Sequence, residues 1–526
     1  MKDNFSSPTI VAVLEIGSRA IRMVIAEINE KAEIRILENL QKPVAFAQDV
    51  FTTYHKVAGT GHISRSSMTE GISILSQFKS VIESYGVKKI QAVGTSAVRE
   101  AQNRDIFTDR VFVRTGIDVE VIEGPEENRL NLIALEHALV GKFPLQEKTC
   151  LILEVGSGST EMIILDHGHV EFTRTLALGS FRLPDQAIPA KTEPAMIKRV
   201  LKRSIHNIMS YRRGDYNLEK VDTFIVLGMD MRFASEQLAE KTDEPFVMVD
   251  KKNLLKWVDQ MASLSPEELV NRHGISLTQA ETLYPSLLIY TNFLNETQAE
   301  TVLISKVSIR DGLLLELSQM FSGYKRTDVS KQVIHSAQHL GEKYQYDKAH
   351  ASCVASLAIK LFDPMTSDHG MGIQERLLLE VSAILHDIGI YISPTSHHKH
   401  SSYLINAAEI FGLRKEHKNI LSNVVRYHRK SIPNALHENY MSLPKSTRAV
   451  ISKLAALLRV ADSLDVAHQQ RIRNFTLEKQ SDAYTLWVPE DLGDISLERN
   501  SLHKKSDLFS EVFGIPIVLK QGDPKK

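Results

Sequence analysis

Glu15 and Glu154, 139 positions apart, each end an aliphatic run, and one residue later each run turns through Gly-Ser: Gly17-Ser18 and Gly156-Ser157. A strand that ends in an acid, turns and returns as a second strand gathers several backbone N–H donors around one concavity. Such a nest binds phosphate because its donors are fixed and aimed at one point. The acid beside it is tolerable next to phosphate when a divalent cation lies between the like charges. Glu15 and Glu154 are therefore candidate cation ligands, and Gly17, Ser18, Gly156, Gly158, Ser159 and Thr160 candidate phosphate contacts. Thr95 and Ser96 add hydroxyl donors. A second group is His350, His386-Asp387 and Asp462, spread over separate helical segments. Imidazoles and carboxylates brought together from several helices make a mixed nitrogen and oxygen site for Mn, Fe, Zn or Mg.

These side chains need elements to carry them. Apolar patterning predicts strands at Thr9–Glu15, Ile21–Ile28 and Ile34–Leu37, a helix over Ser66–Tyr85, and strands at Ile90–Gly94 and Val119–Ile122. A helix begins at Pro125-Glu126, where proline and acids fit a first turn. The pattern then restarts at Thr149–Glu154 and Glu161–Leu165. VAVLEIGSRAIRMVIAE from Val11 and CLILEVGSGSTEMIILD from Cys150 share Leu, Glu, Gly, Ser, Met and Ile at matched positions with no gap. The repeat predicts two related lobes facing one another. Residues 327–470 are helical in period, and Tyr324–Ser330 reads as a short polar linker. After Arg471 strands return at Phe475–Leu477 and Tyr484–Val488, followed by a helix over Ser501–Phe513 and a strand at Pro516–Leu519. This tail is expected to dock its apolar face on the rest.

The chain has 526 residues, enough for several domains, with 43% hydrophobic and 24% charged residues, a balance that excludes disordered, collagenous and coiled-coil classes. Lys and Arg number 63 against 64 Asp and Glu, so no global field holds nucleic acid or an anionic membrane; neither is expected as a partner. A polyanionic substrate must then be gripped by a local pocket. Cys150 and Cys353 lie in separate apolar segments with no CxxC, which excludes a disulfide framework and favours a reducing compartment. The polar Met1–Thr9 lacks a secretory apolar stretch, and runs such as Phe224–Met229 are too short to span a bilayer. A soluble, cytoplasmic chain is expected.

Further blocks arrive in order: Gly94-Thr-Ser-Ala with Arg99 and Asn103; Glu123-Gly-Pro-Glu-Glu-Asn-Arg129; Glu154-Val-Gly-Ser-Gly-Ser-Thr-Glu161; Leu178-Gly179; and Arg310-Asp-Gly312. With Glu15-Ile-Gly-Ser and Arg22, they resemble the phosphate motifs of the ASKHA superfamily (actin, sugar kinases, heat-shock chaperones). More narrowly, they resemble the Ppx/GppA family of exopolyphosphatases and guanosine pentaphosphate phosphatases, over about residues 10–315. The resemblance implies an α/β fold of two RNase H-like, actin-like lobes over 1–125 and 126–323, then an all-α HD-type domain over 324–470 and a small α+β unit over 471–526. It also implies Mg²⁺ in the cleft, Arg22 and Arg99 with their guanidinium forks toward the phosphates (a surface ion pair being the plainer alternative for either), a terminal phosphoanhydride of inorganic polyphosphate or guanosine pentaphosphate as substrate, and a homodimer. The family's general base is the second acid of G-x-E-E-A-R, which falls on Glu127, with Asn128 in place of the usual Ala. A carboxylate at a helix start, aimed into a cleft, can orient water in line with a scissile bond. A solvated first-turn pair is the plainer alternative for Glu126 and Glu127.

Three positions depart from the family pattern. Its two hairpin acids are Asp, and the Glu at 15 and 154 carries each carboxylate about 1.5 Å further into the cleft. Arg19-Ala20 replaces Asn-Ser, so the first loop loses a hydroxyl and gains a bulky charge. The glycine-rich third loop reads Gly228-Met-Asp-Met-Arg232, whose side chains are expected to keep a ligand away from its backbone.

His350, His386-Asp387 and Asp462 look like the H…HD…D pattern of HD-domain metal phosphohydrolases, with His400 and His428 where two-metal members place added ligands. A structural vestige, its residues satisfying one another, is the alternative. The sequence thus leads first to a phosphohydrolase working in the inter-lobe cleft. Two other readings stay open: a phospho-ligand sensor with an altered cleft, and hydrolysis at the HD-type site.

Overall fold

The computed structural model describes residues 8–51, 61–183, 194–210, 216–322 and 327–522. The N-terminal stretch as far as Ser7 and the linker residues Tyr324, Lys325 and Arg326 lie outside them. The chain divides into two compact units, Met1–Arg326 and Thr327–Lys526.

Strand β1 (Thr9–Ile16) is apolar on both faces because both are covered. Successive side chains of a strand point to opposite faces. Ala12, Leu14 and Ile16 therefore join one core with Leu75, Phe78 and Phe107, while Val11 and Val13 join another with Leu130, Leu313 and Leu317. Strand β2 (Ala20–Ile28) pairs antiparallel with β1 and with β3 (Ile34–Pro43). Strands β4 (Lys89–Gly94) and β5 (Val119–Val121) continue the sheet in parallel, in the order β3-β2-β1-β4-β5.

The second sheet repeats this plan. Strands β6 (Thr149–Val155), β7 (Thr160–Asp166) and β8 (His169–Leu176) are antiparallel neighbours. Strand β9 (Thr223–Leu227) runs parallel to β6; β10 (Phe246–Asp250) and β11 (Thr301–Ser305) complete the order β10-β11-β9-β6-β7-β8. Apart from the antiparallel edge strand β10, the two sheets share one topology, as the repeated hairpins led us to expect. The expected lobe boundary at 125/126 is not kept by the packing, since Leu130 and Phe181 lie in cores of the first sheet. Helix Ile309–Ser322, assigned by sequence to the second lobe, packs Ile309, Leu313, Leu314 and Leu317 against the first sheet, because its apolar stripe completes the core on that face of β1 and β2.

The C-terminal unit is built on helices Lys348–Phe362, Ile373–Leu385, Lys415–Arg426 and Lys445–Ser463 around one core. Strands β12 (Thr476–Lys479), β13 (Tyr484–Val488) and β14 (Ile517–Gln521) form its sheet. Tyr484, Leu486 and Leu519 share that core with Leu454 and Leu458, so the segments expected as separate domains over 324–470 and 471–526 are packed as one body. Among the described residues no helix is long and apolar enough to cross a membrane.

Candidate active site

Both glycine hairpins line a cavity of about 160 Å³ in the N-terminal unit. Each is closed by the same bond: Gly17 N–H donates to the Ala20 carbonyl at 3.0 Å, and Gly156 N–H to the Ser159 carbonyl at 2.8 Å. Neighbouring segments brace both turns. In the first lobe Thr95 N–H donates to the Ile16 carbonyl at 3.2 Å, and the Ser18 and Ser96 hydroxyls meet at 3.0 Å. In the second, Ser180 N–H donates to the Gly156 carbonyl at 2.9 Å. A Cβ on Gly179 would stand 2.2 Å from the Ser157 carbonyl oxygen, so only glycine permits this approach.

Helix Gly124–Leu139 delivers the acids. Its first residue presses onto β8, where a Cβ on Gly124 would lie 1.7 Å from Thr175 Oγ1. The solvated alternative for Glu126 and Glu127 fails, because both are buried. Arg129 holds the two oxygens of Glu126, each at 2.8 Å, and reaches Glu316 at 2.8 Å, which ties the helix to Ile309–Ser322. Asn128 donates to Thr173 Oγ1 at 2.8 Å, a use for the amide that stands in place of Ala. Of these side chains, Glu127 lines the cavity.

The cavity is crowded with carboxylates. Burial raises the pKa of Glu127, against the pull of the Arg99 guanidinium with which it pairs. Burial, then Glu127 and Glu15, push Glu154 up to about 7, and burial with Glu127 holds Glu161 well above the usual range. Glu15 is met by Arg22 at 2.8 Å and by Arg310 at 3.3 Å, whereas Glu154 accepts from the neutral Asn131 amide. This all-oxygen set suits a hard divalent cation, and its unmet demand centres on Glu154 rather than equally on both glutamates.

Glu15, Gly17, Ser18, Arg22, Thr95, Ser96, Glu127, Glu154, Gly156 and Ser159 are brought together as expected. Three candidates are not at the wall. Arg99 sits behind Glu127, donating to the Ile122 carbonyl at 2.9 Å. Gly158 is glycine because a Cβ there would strike the Phe51 ring at 2.1 Å. Thr160 is fully buried and spends its hydroxyl on the Leu178 carbonyl at 2.5 Å.

Sequence reasoning passed over Arg19, Glu161, Arg232 and Arg310 as site residues, and all four line the cavity. Glu161 could have been found from the repeat, since it pairs with Glu154 as Arg22 pairs with Glu15. Arg310 stood in a block already singled out. The two loop departures prove to be partners: Arg19 donates to Thr282 Oγ1 at 2.9 Å and lies 3.5 Å from the buried Asp230. Of the two Met side chains and the Asp of the third loop, expected to keep a ligand away from its backbone, only Met229 is placed to do so, since Asp230 and Met231 are buried. Gly228 adopts φ +108°, the following helix Met229–Leu238 turns Met231 into the core, and Met229 and Arg232 face the cavity.

In the C-terminal unit His350, His386, Asp387 and Asp462 do meet, with Asp462 3.7 Å from His350 and Asp387 3.5 Å from His386. His428 joins them, 3.6 Å from Asp387, and burial followed by His386 pushes its imidazole down to about 3. His400 does not join the group; His397 takes that place, 3.1 Å from Asp387. The reason is helix phase. The helix over His397–Ala407 buries His397, His398, Ser401, Leu404 and Ile405, which turns His400 away from the inner face.

The profile of the Ppx/GppA phosphatase family matches residues 24–321, and that of domain III of the Ppx/GppA phosphatase matches 334–511. The guanosine-5'-triphosphate,3'-diphosphate pyrophosphatase of Photobacterium profundum is 24% identical over 466 residues, covering 87% of this chain and 88% of the relative. Its counterpart in Aliivibrio fischeri is 25% identical over 500 residues, 93% of each. An exopolyphosphatase structure from Cytophaga hutchinsonii superposes with a TM-score of 0.53 at 19% identity, covering 60% of this chain and 99% of that one, which shows a shared fold. The duplicated hairpins, the buried Glu127 between them and a family profile spanning most of the N-terminal unit agree: this chain belongs to the Ppx/GppA phosphatase family of phosphoanhydride hydrolases.

Proposed function

We propose that the cleft releases the terminal phosphate of guanosine 5'-triphosphate 3'-diphosphate, with inorganic polyphosphate as a second substrate. One observation carries this reading: Glu127 is a buried carboxylate, raised in pKa, beside two phosphate-nest turns. The named pyrophosphatase relatives align along nearly the whole chain, which favours the nucleotide over polyphosphate.

The backbone donors of the Gly17 and Gly156 turns hold the phosphate oxygens, and the hydroxyls of Ser18, Ser96 and Ser159 add to them. Arg22, Arg232 and Arg310 supply positive charge at the wall. Glu127, held in place by Arg99, orients a water and takes its proton as the new P–O bond forms and the anhydride P–O bond breaks. Glu154 with Glu15 would hold Mg²⁺, which would neutralise phosphate charge beside the carboxylates. A cytoplasmic homodimer belongs to the same reading and is checked by sedimentation of the purified chain.

The test is phosphate release from the guanosine nucleotide and from polyphosphate, each with and without Mg²⁺. Mg²⁺-dependent release from the nucleotide is the expected result. Release from polyphosphate alone would reverse the substrate order. Tight binding of the nucleotide with no release of phosphate from either compound would make the cleft a sensor.

A further inference from the structure

Tyr290 lies in the helix Leu277–Asn295 and is 1% exposed, within the core that also holds Leu153, Val155 and Val226. Phenylalanine would fill the same space, so the hydroxyl matters for what it bonds rather than for what it packs against. It has two partners. Val155 N–H donates to it at 2.8 Å, and it donates in turn to the Leu227 carbonyl. An amide N–H only donates and a carbonyl only accepts, so a single hydroxyl serves both.

The repeated lobes show what this hydroxyl interrupts. In the first lobe β1 and β4 pair in parallel as far as Ile16 with Gly94, and Thr95 N–H then donates to the Ile16 carbonyl at 3.2 Å. In the second lobe β6 and β9 keep the same register, with Glu154 opposite Leu227 as Glu15 is opposite Val93, but the pairing stops there. Val155 and Gly228, the counterparts of Ile16 and Gly94, do not pair with each other. A parallel ladder carried one step further would join Val155 N–H directly to the Leu227 carbonyl. Those are the two groups between which Tyr290 stands. The next bond of such a ladder, Met229 N–H to the Val155 carbonyl, is also missing among the described residues. The third loop bends around the intruding group: Gly228 has φ +108°, and a Cβ there would lie 2.8 Å from the Tyr290 oxygen.

We propose that Tyr290 is a positioning residue for phosphate, a hydroxyl wedge between β6 and β9 that sets where the Gly156 turn meets the cavity. Val155 and Gly156 line that cavity on one side of the gap, and Gly228 and Met229 on the other. Closing the gap by one ladder pair draws the Val155–Gly156 backbone toward the third loop, and the N–H donors of the turn move with it. The first lobe holds its turn through Thr95 instead, so two matching sheets brace their phosphate turns in different ways. The inference rests on the reading that the cleft takes phosphate, and its test does not need turnover.

The experiment compares the full-length protein with Tyr290→Phe and with Leu287→Val. Leu287 is a fully buried neighbour in the same helix and core, and trimming it costs packing alone. Two readouts are taken: amide hydrogen exchange residue by residue, and calorimetric binding of inorganic pyrophosphate with Mg²⁺ present. In the unaltered protein the Val155 amide is protected and the Met229 amide exchanges freely. In Tyr290→Phe the ladder closes, so Val155 stays protected and Met229 becomes protected. Pyrophosphate then binds about tenfold more weakly, the scale of one net hydrogen bond. Leu287→Val lowers the melting temperature and leaves both readouts unchanged. A protected Met229 amide in the unaltered protein overturns the wedge without any variant. So does a Tyr290→Phe protein in which Val155 exchanges faster and Met229 is unaffected, the pattern of a lost structural bond. Unchanged pyrophosphate affinity in Tyr290→Phe, or an equal loss in Leu287→Val, overturns the positioning role. Unaltered protein that binds pyrophosphate but releases no phosphate from either substrate refutes the hydrolase reading alone, and the two readouts still decide the wedge.

Discussion

At the residue scale, Glu127 and Glu154 divide the work of the cleft. Glu127 has a guanidinium beside it and a raised pKa; replacing it with Gln keeps the volume and removes the base. Glu127→Gln is expected to lower turnover by roughly 10²-fold or more while nucleotide affinity survives, checked by phosphate release alongside calorimetric binding. Glu154 shows in stability. Its pKa rises from 4.5 to about 7 on folding, so the folded state binds its proton more tightly than the unfolded chain does. That stability is fully present below pH 4.5 and is lost as pH climbs to about 7, a change of up to ~3 kcal/mol. Glu127 and Glu161 act in the same direction. The metal-free N-terminal unit should therefore lose stability between pH 5 and pH 8, whereas His428 in the C-terminal unit, pushed down to about 3, acts in the opposite sense, so the two units' transitions are followed separately. Glu154→Gln should flatten that slope, and excess Mg²⁺ should do the same.

At the element scale, the position of Glu127 depends on two helices that cross closely. A Cβ on Gly312 would lie 2.3 Å from the Leu130 carbonyl oxygen, which forces Ile309–Ser322 away from Gly124–Leu139. The buried Glu126–Arg129–Glu316 triad spans the same crossing. Gly312→Ala should cost about 1–3 kcal/mol by chemical denaturation, in the range of overpacked cores. It should also reduce turnover, because the helix that carries Glu127 moves with its neighbour. A stability loss with unchanged turnover would show that the helix start is positioned by β8 alone, through Gly124 and Asn128.

At the scale of the N-terminal unit, Arg19 joins the two lobes. It leaves the first hairpin and meets Asp230 and Thr282 of the second lobe, and Asp230 is 2% exposed. Removing one partner of a buried ion pair strands the other charge, whereas removing both does not. Arg19→Asn should therefore destabilise the unit more than the Arg19→Asn/Asp230→Asn double change does. The coupling energy from a denaturation cycle should be about 0.5–3 kcal/mol. Additive effects would show that the two departures from the family pattern are independent.

The sequence by itself carried the duplicated hairpins, since a strand pattern, a glycine turn and an acid at fixed spacing are local features that recur 139 residues on. It carried the helix start near Pro125-Glu126, where proline and acids mark a first turn, and most strands fell within a residue or two of their expected bounds. Tertiary structure decided what lies between distant residues. Sequence took Glu127 from the family motif, with a solvated pair as the alternative; only the packing shows both acids buried, with Arg129 holding Glu126 and with Glu127 at the cavity. It could not pair Arg19 with Asp230, because no pattern links a loop residue of one lobe to a helix residue of the other. It chose His400 over His397 because the two are three residues apart, and only the packing of their helix fixes which one turns inward. Helix Ile309–Ser322 returned to the first sheet for a like reason: its apolar stripe fits a core, but the chain alone does not say which.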